Sequence, residues 1–263
     1  MREAKSIECP PMTETVLFEK DGPIARLVLN NPGRHNSLGE LELLALQRHI
    51  AAVVADPQLR VLIVTGSGNK TFCAGAALNQ LGAGQISGDL FQETTDCLAA
   101  VPIPTVCALN GSVYGGGTEL ALSCDFRVGV KGTRLRVPAA RIGLCYPIGG
   151  INRFVERLGV NIAKRILVGA EEFDAEAMLH IGFLDHLVPA SELEAKVSEM
   201  AQNMARLAPL AVQAMKAILQ QAAAGAIDQQ KAQALAQTCT DSEDLQEGFA
   251  AQRERREPEF KGR

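Results

Sequence analysis

The feature that most constrains this chain is a run of three glycines between an apolar segment and a helix-forming segment. Residues 105–109 are apolar and predict a buried strand, Gly115 to Gly117 follow, and residues 119–124 combine helix formers with an apolar stripe. Glycine lets the backbone turn sharply and approach a ligand without a side chain in the way. The pattern therefore predicts a strand, a tight turn and a helix start whose unpaired N–H groups can stabilise negative charge.

Glu119 lies just inside the predicted helix, close enough to the glycine turn to act as an acid or a base. Glycine triplets also occur in ordinary tight turns, and a glutamate in a first helical turn often only complements the helix dipole. The stretch lacks the G-x-G-x-x-G spacing of a dinucleotide site. From these residues alone, a catalytic and a structural role for Glu119 both stay open.

A second stretch has a similar arrangement. Residues 60–66 predict another buried strand, which leads through a polar turn to residues 72–78, FCAGAAL. The two stretches together resemble the signatures of the crotonase, or enoyl-CoA hydratase/isomerase, superfamily, F-x-A-G-A-D-[LI] and N-G-x-x-x-G-G-G-x-E-L-A-x-x-C-D. The second signature is matched from Asn110 to Asp125, and the resemblance extends over residues 17–263.

The resemblance implies an α/β fold with a superhelical core of repeated β-β-α units, as in ClpP and crotonase, and a C-terminal helical region. The β–α alternation followed by an Ala- and Gln-rich helical tail independently favours an α/β core with helices after it. We expect residues 1–12 to form a disordered extension, 13–190 the crotonase core and 191–263 a helical trimerisation region. The family also implies a homotrimer or a hexamer built from two trimers.

The resemblance further implies that the substrate is an acyl-CoA thioester, so that coenzyme A belongs to the substrate and no separate cofactor is needed. By motif position, the N–H groups of Ala76 and Gly116 form an oxyanion hole for the enolate oxygen, and Glu119 is the catalytic carboxylate. The residues that the resemblance places against the substrate or its CoA portion are Arg34, His35, Ala74, Ala76, Leu78, Gly116 and Arg255. For Arg255 the alternative is a solvated helix face with mixed charges.

The chain departs from the hydratase pattern at the second catalytic position. Hydratases of the family carry a second glutamate in a stretch like P-E-x-x-L-G, whereas here Pro138 is followed by Ala139, whose methyl group cannot transfer a proton. A positioned acid/base group contributes roughly 10²–10⁴-fold to a rate. Tyr114 and Tyr146 are candidate polar groups of the pocket, although Tyr146 could also simply pack at a loop edge.

We therefore predict an enoyl-CoA hydratase/isomerase-like lyase with one catalytic glutamate and weak hydratase activity. The alternatives are an enoyl-CoA isomerase, which needs only one base, and an acyl-CoA decarboxylase, which needs chiefly the oxyanion hole. A catalytically silent acyl-CoA-binding paralogue would share the same backbone donors. Turnover by a Glu119→Gln variant separates the enzymes from the silent protein.

Composition excludes several other classes. The chain has 263 residues, 21% of them charged, and a net charge of −4, so nothing favours nucleic acid or a membrane surface as a partner. Apolar runs of membrane-spanning length and a signal peptide are not found. The seven cysteines and four histidines show no metal-ligand spacing, and an odd cysteine count without a secretion signal predicts reduced thiols in the cytoplasm.

Overall fold

The computed structural model describes residues 14–84 and 86–263, so the predicted extension at residues 1–12 lies outside the described residues. The strands are β1 (Val16–Asp21), β2 (Ile24–Leu29), β3 (Val61–Gly66), β4 (Thr71–Cys73), β5 (Thr105–Leu109), β6 (Ser112–Tyr114), β7 (Phe126–Val130), β8 (Arg134–Arg136), β9 (Glu172–Asp174) and β10 (His186–Val188). The helices are α1 (Glu40–Ala55), α2 (Leu78–Gly82), α3 (Gly88–Ala99), α4 (Gly116–Leu122), α5 (Ile148–Leu167), α6 (Ala175–His180), α7 (Leu193–Ala205), α8 (Pro209–Ala223), α9 (Gln229–Thr240) and α10 (Glu243–Glu254).

The strands form two sheets, and in the middle of the chain successive strands belong to them alternately. The larger sheet has the order β1-β2-β3-β5-β7-β10 and is parallel except for the β1–β2 hairpin. The smaller sheet has the order β4-β6-β8-β9 and is parallel except for β8–β9. In three successive pairs, β3–β4, β5–β6 and β7–β8, the first strand joins the larger sheet and the second joins the smaller one. This repetition confirms the predicted β-β-α units.

The central strands are apolar because both faces of the larger sheet are covered. Every residue of β3 and of β5 is buried, which is typical of parallel strands that lie between layers. One face contributes Leu62 and Val64 to the main core. On the other face, Val197 and Ala201 of α7 pack against Val61 and other residues of the sheet.

Several element boundaries differ from the sequence-based expectation. The helix after the glycines begins at Gly116 rather than at Glu119. The Gly-rich residues 81–88 predict a loop, whereas α2 extends to Gly82. The sequence pattern predicts two short helices at 151–158 and 162–168, but these residues belong to one helix, α5, which is kinked at Gly159, whose φ is +76°. The strands β4, β6 and β9 were missed because three residues are too few to show a periodic pattern. The polar helix α9 was missed as well.

The helices α8 to α10 end the chain and leave apolar side chains at the surface. Met215 and Leu219 of α8 are 57% and 67% exposed, and Phe249 of α10 is 59% exposed. The last residues fold back onto α10, where the buried Asp244 carboxylate accepts hydrogen bonds from the N–H groups of Lys261 (2.7 Å) and Gly262 (2.8 Å). Trimer formation and the boundary at residue 190 remain predictions. Within the described ranges, no helix has both the length and the apolar character to cross a membrane.

Candidate active site

The two glycine-containing turns touch each other, and their glycines leave no room for a side chain. Gly75 has a φ of +82°, and a Cβ on it would lie 2.4 Å from the backbone nitrogen of Gly116. A Cβ on Gly117 would lie 2.4 Å from the carbonyl oxygen of Cys73, and one on Gly116 would lie 2.5 Å from the Phe91 ring. The fold therefore packs the turn after β4 directly against the first turn of α4.

Two backbone donors come together at this contact. Leu38 and Ala76 form an isolated parallel bridge that uses the Gly75 carbonyl and the Ala77 N–H, and the Ala76 N–H donates to no acceptor among the described residues. Gly116 is the first residue of α4, so its N–H has no helical partner one turn earlier. Both N–H groups thus lie beside Gly75 without an acceptor in the described part of the chain. That they hold one oxygen stays a prediction.

Two asparagines fix the loops around these turns. The buried Asn36, with a left-handed φ of +52°, donates through Nδ2 to the carbonyls of Thr71 (2.9 Å) and Phe72 (3.1 Å). Asn110 accepts from the Gly66 N–H through Oδ1, at 3.1 Å. The family resemblance places residues 34–38 in a substrate loop and gives no indication that Asn36 anchors the neighbouring turns. The available signal was asparagine inside a turn sequence, because asparagine tolerates the left-handed region and bonds to nearby backbone.

Glu119 is buried at the start of α4, with 1% of its surface exposed. Its Oε1 accepts hydrogen bonds from Nη1 of Arg153 (2.8 Å) and from the hydroxyl of Thr95 (3.0 Å). Arg153 reaches further, to Oδ1 of Asp96 at 2.5 Å. Burial raises the pKa of Glu119 above its usual value, and the guanidinium of Arg153 is the main group that opposes this rise. The carboxylate is thus held firmly through one oxygen.

Tyr146 lies on the opposite side of that carboxylate. Its ring packs edge-on against Phe154, with centroids 5.6 Å apart and planes at 85°. Its hydroxyl is buried, as is Oε2 of Glu119, and neither has a hydrogen-bond partner within residues 14–84 and 86–263. Burial, followed by the negative charge of Glu119, raises the pKa of Tyr146 well above its usual value.

Ala139 and Tyr114, the other positions singled out near the pocket, are also ordered. Ala139 opens a 3-10 turn that spans Ala139–Ile142, and it is 7% exposed within the main core. Gly143 closes the turn with a φ of +75°. Tyr114 is half-buried in β6, where it pairs with Arg136.

The residues predicted to bind the CoA portion fall into two places. Arg34 and His35 are exposed on the loop before α1, and the Ala74 N–H donates to the His35 carbonyl at 3.0 Å. Leu78 opens α2 nearby in sequence. Arg255 is an exposed residue at the end of α10 with a φ of +56°. Its backbone N–H donates to the Gln252 carbonyl at 3.4 Å, and its side chain forms no hydrogen bond or ion pair within the described residues.

A cavity of about 690 Å³ lies between α3, α5 and α8, and it is not the predicted site. Arg153 and Asp96 line it, whereas Glu119 does not. Its walls also hold an ion pair between Lys216 and Asp125, at 2.5 Å. Because Arg153 contacts Glu119 and also lines the cavity, it separates the carboxylate from this space.

The alternating two-sheet core, the touching glycine turns and the buried carboxylate after them define a crotonase-type α/β protein. The sequence model of the enoyl-CoA hydratase/isomerase family matches residues 19–263, and the chain belongs to this family.

Relatives and solved structures agree with that assignment. The crotonyl-CoA hydratase of Syntrophomonas wolfei is 32% identical over 255 residues, which cover 94% of this chain and 98% of the relative. The 2,3-dehydroadipyl-CoA hydratase of Escherichia coli is 31% identical, with 94% and 99% covered. The crystal structure of an enoyl-CoA hydratase from Bacillus anthracis superimposes with a TM-score of 0.87 at 27% identity, covering 95% of this chain and 100% of that one. The predicted family and fold are therefore confirmed.

Proposed function

We propose that this chain binds an acyl-CoA thioester, stabilises its enolate oxygen with the N–H groups of Ala76 and Gly116, and moves protons with Glu119. The observation that carries the proposal is the asymmetry of the Glu119 carboxylate. Oε1 is occupied by Arg153 and Thr95, whereas Oε2 is buried without a partner among the described residues. Oε2 is thus the oxygen able to accept or deliver a proton.

The backbone donors support charge that develops during the reaction. Backbone N–H groups are fixed before the reaction starts, so they stabilise an oxyanion without reorganising. Gly75 brings the Ala76 and Gly116 turns into contact, which supports a shared role for their N–H groups. Removal of one such donor typically lowers kcat about 100- to 1000-fold.

Addition of water to a 2-enoyl-CoA is the reaction that the names of the relatives support, since they are called hydratases of crotonyl-CoA and of 2,3-dehydroadipyl-CoA. Ala139 leaves the second catalytic position without a carboxylate, so we propose that hydration is slow. Double-bond isomerisation is the second candidate, because one carboxylate suffices to carry a proton between two carbons. The single free oxygen of Glu119 favours it.

Steady-state hydration of crotonyl-CoA tests this proposal. We expect the wild-type turnover to lie at least about 100-fold below that of a two-glutamate family member, since one acid/base group contributes 10²–10⁴-fold. Ala139→Glu is expected to raise the rate, and Ala139→Gln, which has the same size but cannot transfer a proton, is the matched control. Glu119→Gln is expected to abolish turnover while acyl-CoA binding persists.

Four results would contradict parts of the proposal. Wild-type turnover equal to that of an ordinary hydratase would show that Ala139 does not limit the reaction. Full turnover by Glu119→Gln would remove Glu119 from the mechanism. Binding of acyl-CoA thioesters with neither hydration nor isomerisation by the wild type would identify a silent binding protein, and loss of a carboxylate from the acyl group would identify a decarboxylase.

A further inference from the structure

The free oxygen of Glu119 and the Tyr146 ring lie against the same glycine. A Cβ on Gly150 would lie 2.8 Å from Oε2 of Glu119 and 2.5 Å from Cε1 of Tyr146. Gly150 is the third residue of α5, so both groups approach the helix where no side chain separates them. The carboxylate oxygen and the edge of the phenol ring are therefore neighbours.

Both facing polar atoms are buried without a partner in the described chain. These atoms are Oε2 of Glu119 and the hydroxyl of Tyr146. A buried polar group without a hydrogen bond costs roughly 1–3 kcal/mol, so an unpartnered pair that faces each other points to a function. The phenol is close enough to lower the pKa of Glu119, although the geometry falls short of a formed hydrogen bond.

We propose that Tyr146 is a positioning residue that donates its hydroxyl proton, as a hydrogen bond, to Oε2 of Glu119 or to the water that Oε2 activates. The inference deepens the proposed function and rests on it. It assigns the second polar contact of the site to a phenol on the loop before α5, in a chain whose Ala139 supplies none.

The phenol acts as a donor and not as a base. Burial and the charge of Glu119 raise the pKa of Tyr146 far above neutrality, so it stays protonated throughout the working pH range. During hydration the water oxygen bonds to the β-carbon, its proton passes to Oε2, and the C=C electron pair moves to the thioester oxygen. The proton on Oε2 then passes to the α-carbon and the thioester re-forms. Tyr146 neither gains nor loses a proton.

Other charged and titratable groups face this pair from the surrounding elements. Arg153 of α5 lowers the pKa of both Glu119 and Tyr146. Asp96 of α3 raises the pKa of Glu119, and the buried Cys73 of β4 raises that of Tyr146. Removal of the phenol hydroxyl leaves all these groups in place, so a change in pH dependence can be attributed to the hydroxyl itself.

The first test is Tyr146→Phe, which keeps the ring and its contact with Phe154. We expect kcat to fall about 10- to 100-fold with little change in KM, the size that a hydrogen bond to a charged group gives. The acidic limb of the kcat/KM profile is expected to move to higher pH, because a donor that lowers the Glu119 pKa is gone. Phe154→Leu, which disturbs the ring but keeps the hydroxyl, should not move that limb.

The second test needs no turnover. The chain has two tyrosines, so tyrosine labelled with ¹³C at Cζ gives two NMR signals, and Tyr146→Phe identifies which belongs to Tyr146. In Glu119→Gln we expect the Tyr146 signal to titrate at lower pH than in the wild type, because the negative charge that raises its pKa has been removed.

The outcomes separate this inference from the proposed function. If Glu119→Gln is inactive while Tyr146→Phe keeps the wild-type kcat and acidic limb, the function stands and the inference is overturned. If Glu119→Gln retains full turnover, the proposed function is refuted, and the NMR titration still tests whether Tyr146 interacts with Glu119. An unchanged Tyr146 titration in that variant would overturn the inference whatever the kinetics show.

Discussion

At the scale of single residues, Gly75 combines a left-handed backbone conformation with a close approach of another backbone segment. It adopts a left-handed φ of +82°, and it lets the Gly116 nitrogen approach to a distance that a Cβ would prevent. Gly132 adopts almost the same φ, +81°, with no atom within 4 Å of the position of a Cβ. Comparing alanine substitutions at Gly75 and Gly132 therefore distinguishes the effect of backbone strain, which both share, from the effect of a steric clash, which only Gly75 has.

We predict that Gly75→Ala lowers kcat on acyl-CoA about 100- to 1000-fold, because the Cβ displaces the Gly116 N–H from its place beside Ala76. Gly132→Ala is expected to lower the free energy of unfolding by about 1–2 kcal/mol, the left-handed penalty, and to leave kcat unchanged. Urea unfolding and steady-state kinetics measure the two quantities. Equal kcat values for the two variants would show that the contact with Gly116 has no catalytic role.

The sequence alone indicates which backbone positions to propose for the site but not what surrounds its carboxylate. The glycines, Glu119 and the alanine at 139 could be read from motif spacing. Arg153 and Thr95, which hold Oε1 of Glu119, could not, because they are 34 and 24 residues away along the chain and meet it only through the packing of α3 and α5 against α4. Long-range side-chain contacts of this kind leave no periodic signal in a single sequence.

At the scale of elements, the C-terminal residues are tied to α10 through its first turn. Asp244 is 3% exposed and accepts two backbone hydrogen bonds from Lys261 and Gly262, whereas its neighbour Glu243 forms an exposed ion pair with Arg263. Both acids lie at the positive end of the helix dipole, so they differ mainly in the buried contacts.

We expect Asp244→Ala to reduce the free energy of unfolding by about 3 kcal/mol or more, since it removes two hydrogen bonds to a charged group that are each worth about 1.5–3 kcal/mol. Amide hydrogen exchange at Lys261 and Gly262 should become faster at the same time. Glu243→Ala, the matched control, should change stability by less than about 1 kcal/mol, as exposed ion pairs do. If both amides still exchanged slowly in Asp244→Ala, the Asp244 hydrogen bonds would not be what holds the last residues against α10.

Elements with a clear apolar pattern were predicted, whereas the strands β4, β6 and β9 and the polar helix α9 were not. The helix α1 and the strands β3 and β5 follow from apolar patterns that cover five or more residues. The strands β4, β6 and β9 of the smaller sheet are three residues each and gain their register from neighbours, so propensity alone does not place them. At Gly159 the sequence pattern predicts a break between two helices, whereas the structure has one helix with a kink.

At the scale of the whole molecule, the last helices leave apolar side chains at the surface, which favours an interface with other copies of the chain. Leu219 of α8 is 67% exposed, and Leu41 of α1 is 70% exposed although it lies outside the tail. Contiguous exposed apolar surface usually marks an interface, whereas single exposed residues are ordinary.

We predict a trimer or a dimer of trimers by light scattering at micromolar concentration. Leu219→Glu should shift the mass towards the monomer because it places a charge in the predicted interface, and Leu41→Glu should leave the mass unchanged. A monomeric wild type would refute the prediction. Dissociation by Leu41→Glu but not by Leu219→Glu would show that the interface lies outside the C-terminal helices.

The close contact between Gly75 and Gly116 has a consequence for how such a chain can diversify. The groups that we propose to stabilise charge at that contact are backbone N–H groups, so replacements at Ala139 or Tyr146 leave them in place. If the proposed function holds, one or two substitutions can change the steps that move protons while the backbone donors still hold the thioester. A scaffold of this kind is a favourable starting point for laboratory evolution, where a library confined to residues 138–148 would explore new reactions on an unchanged anchor.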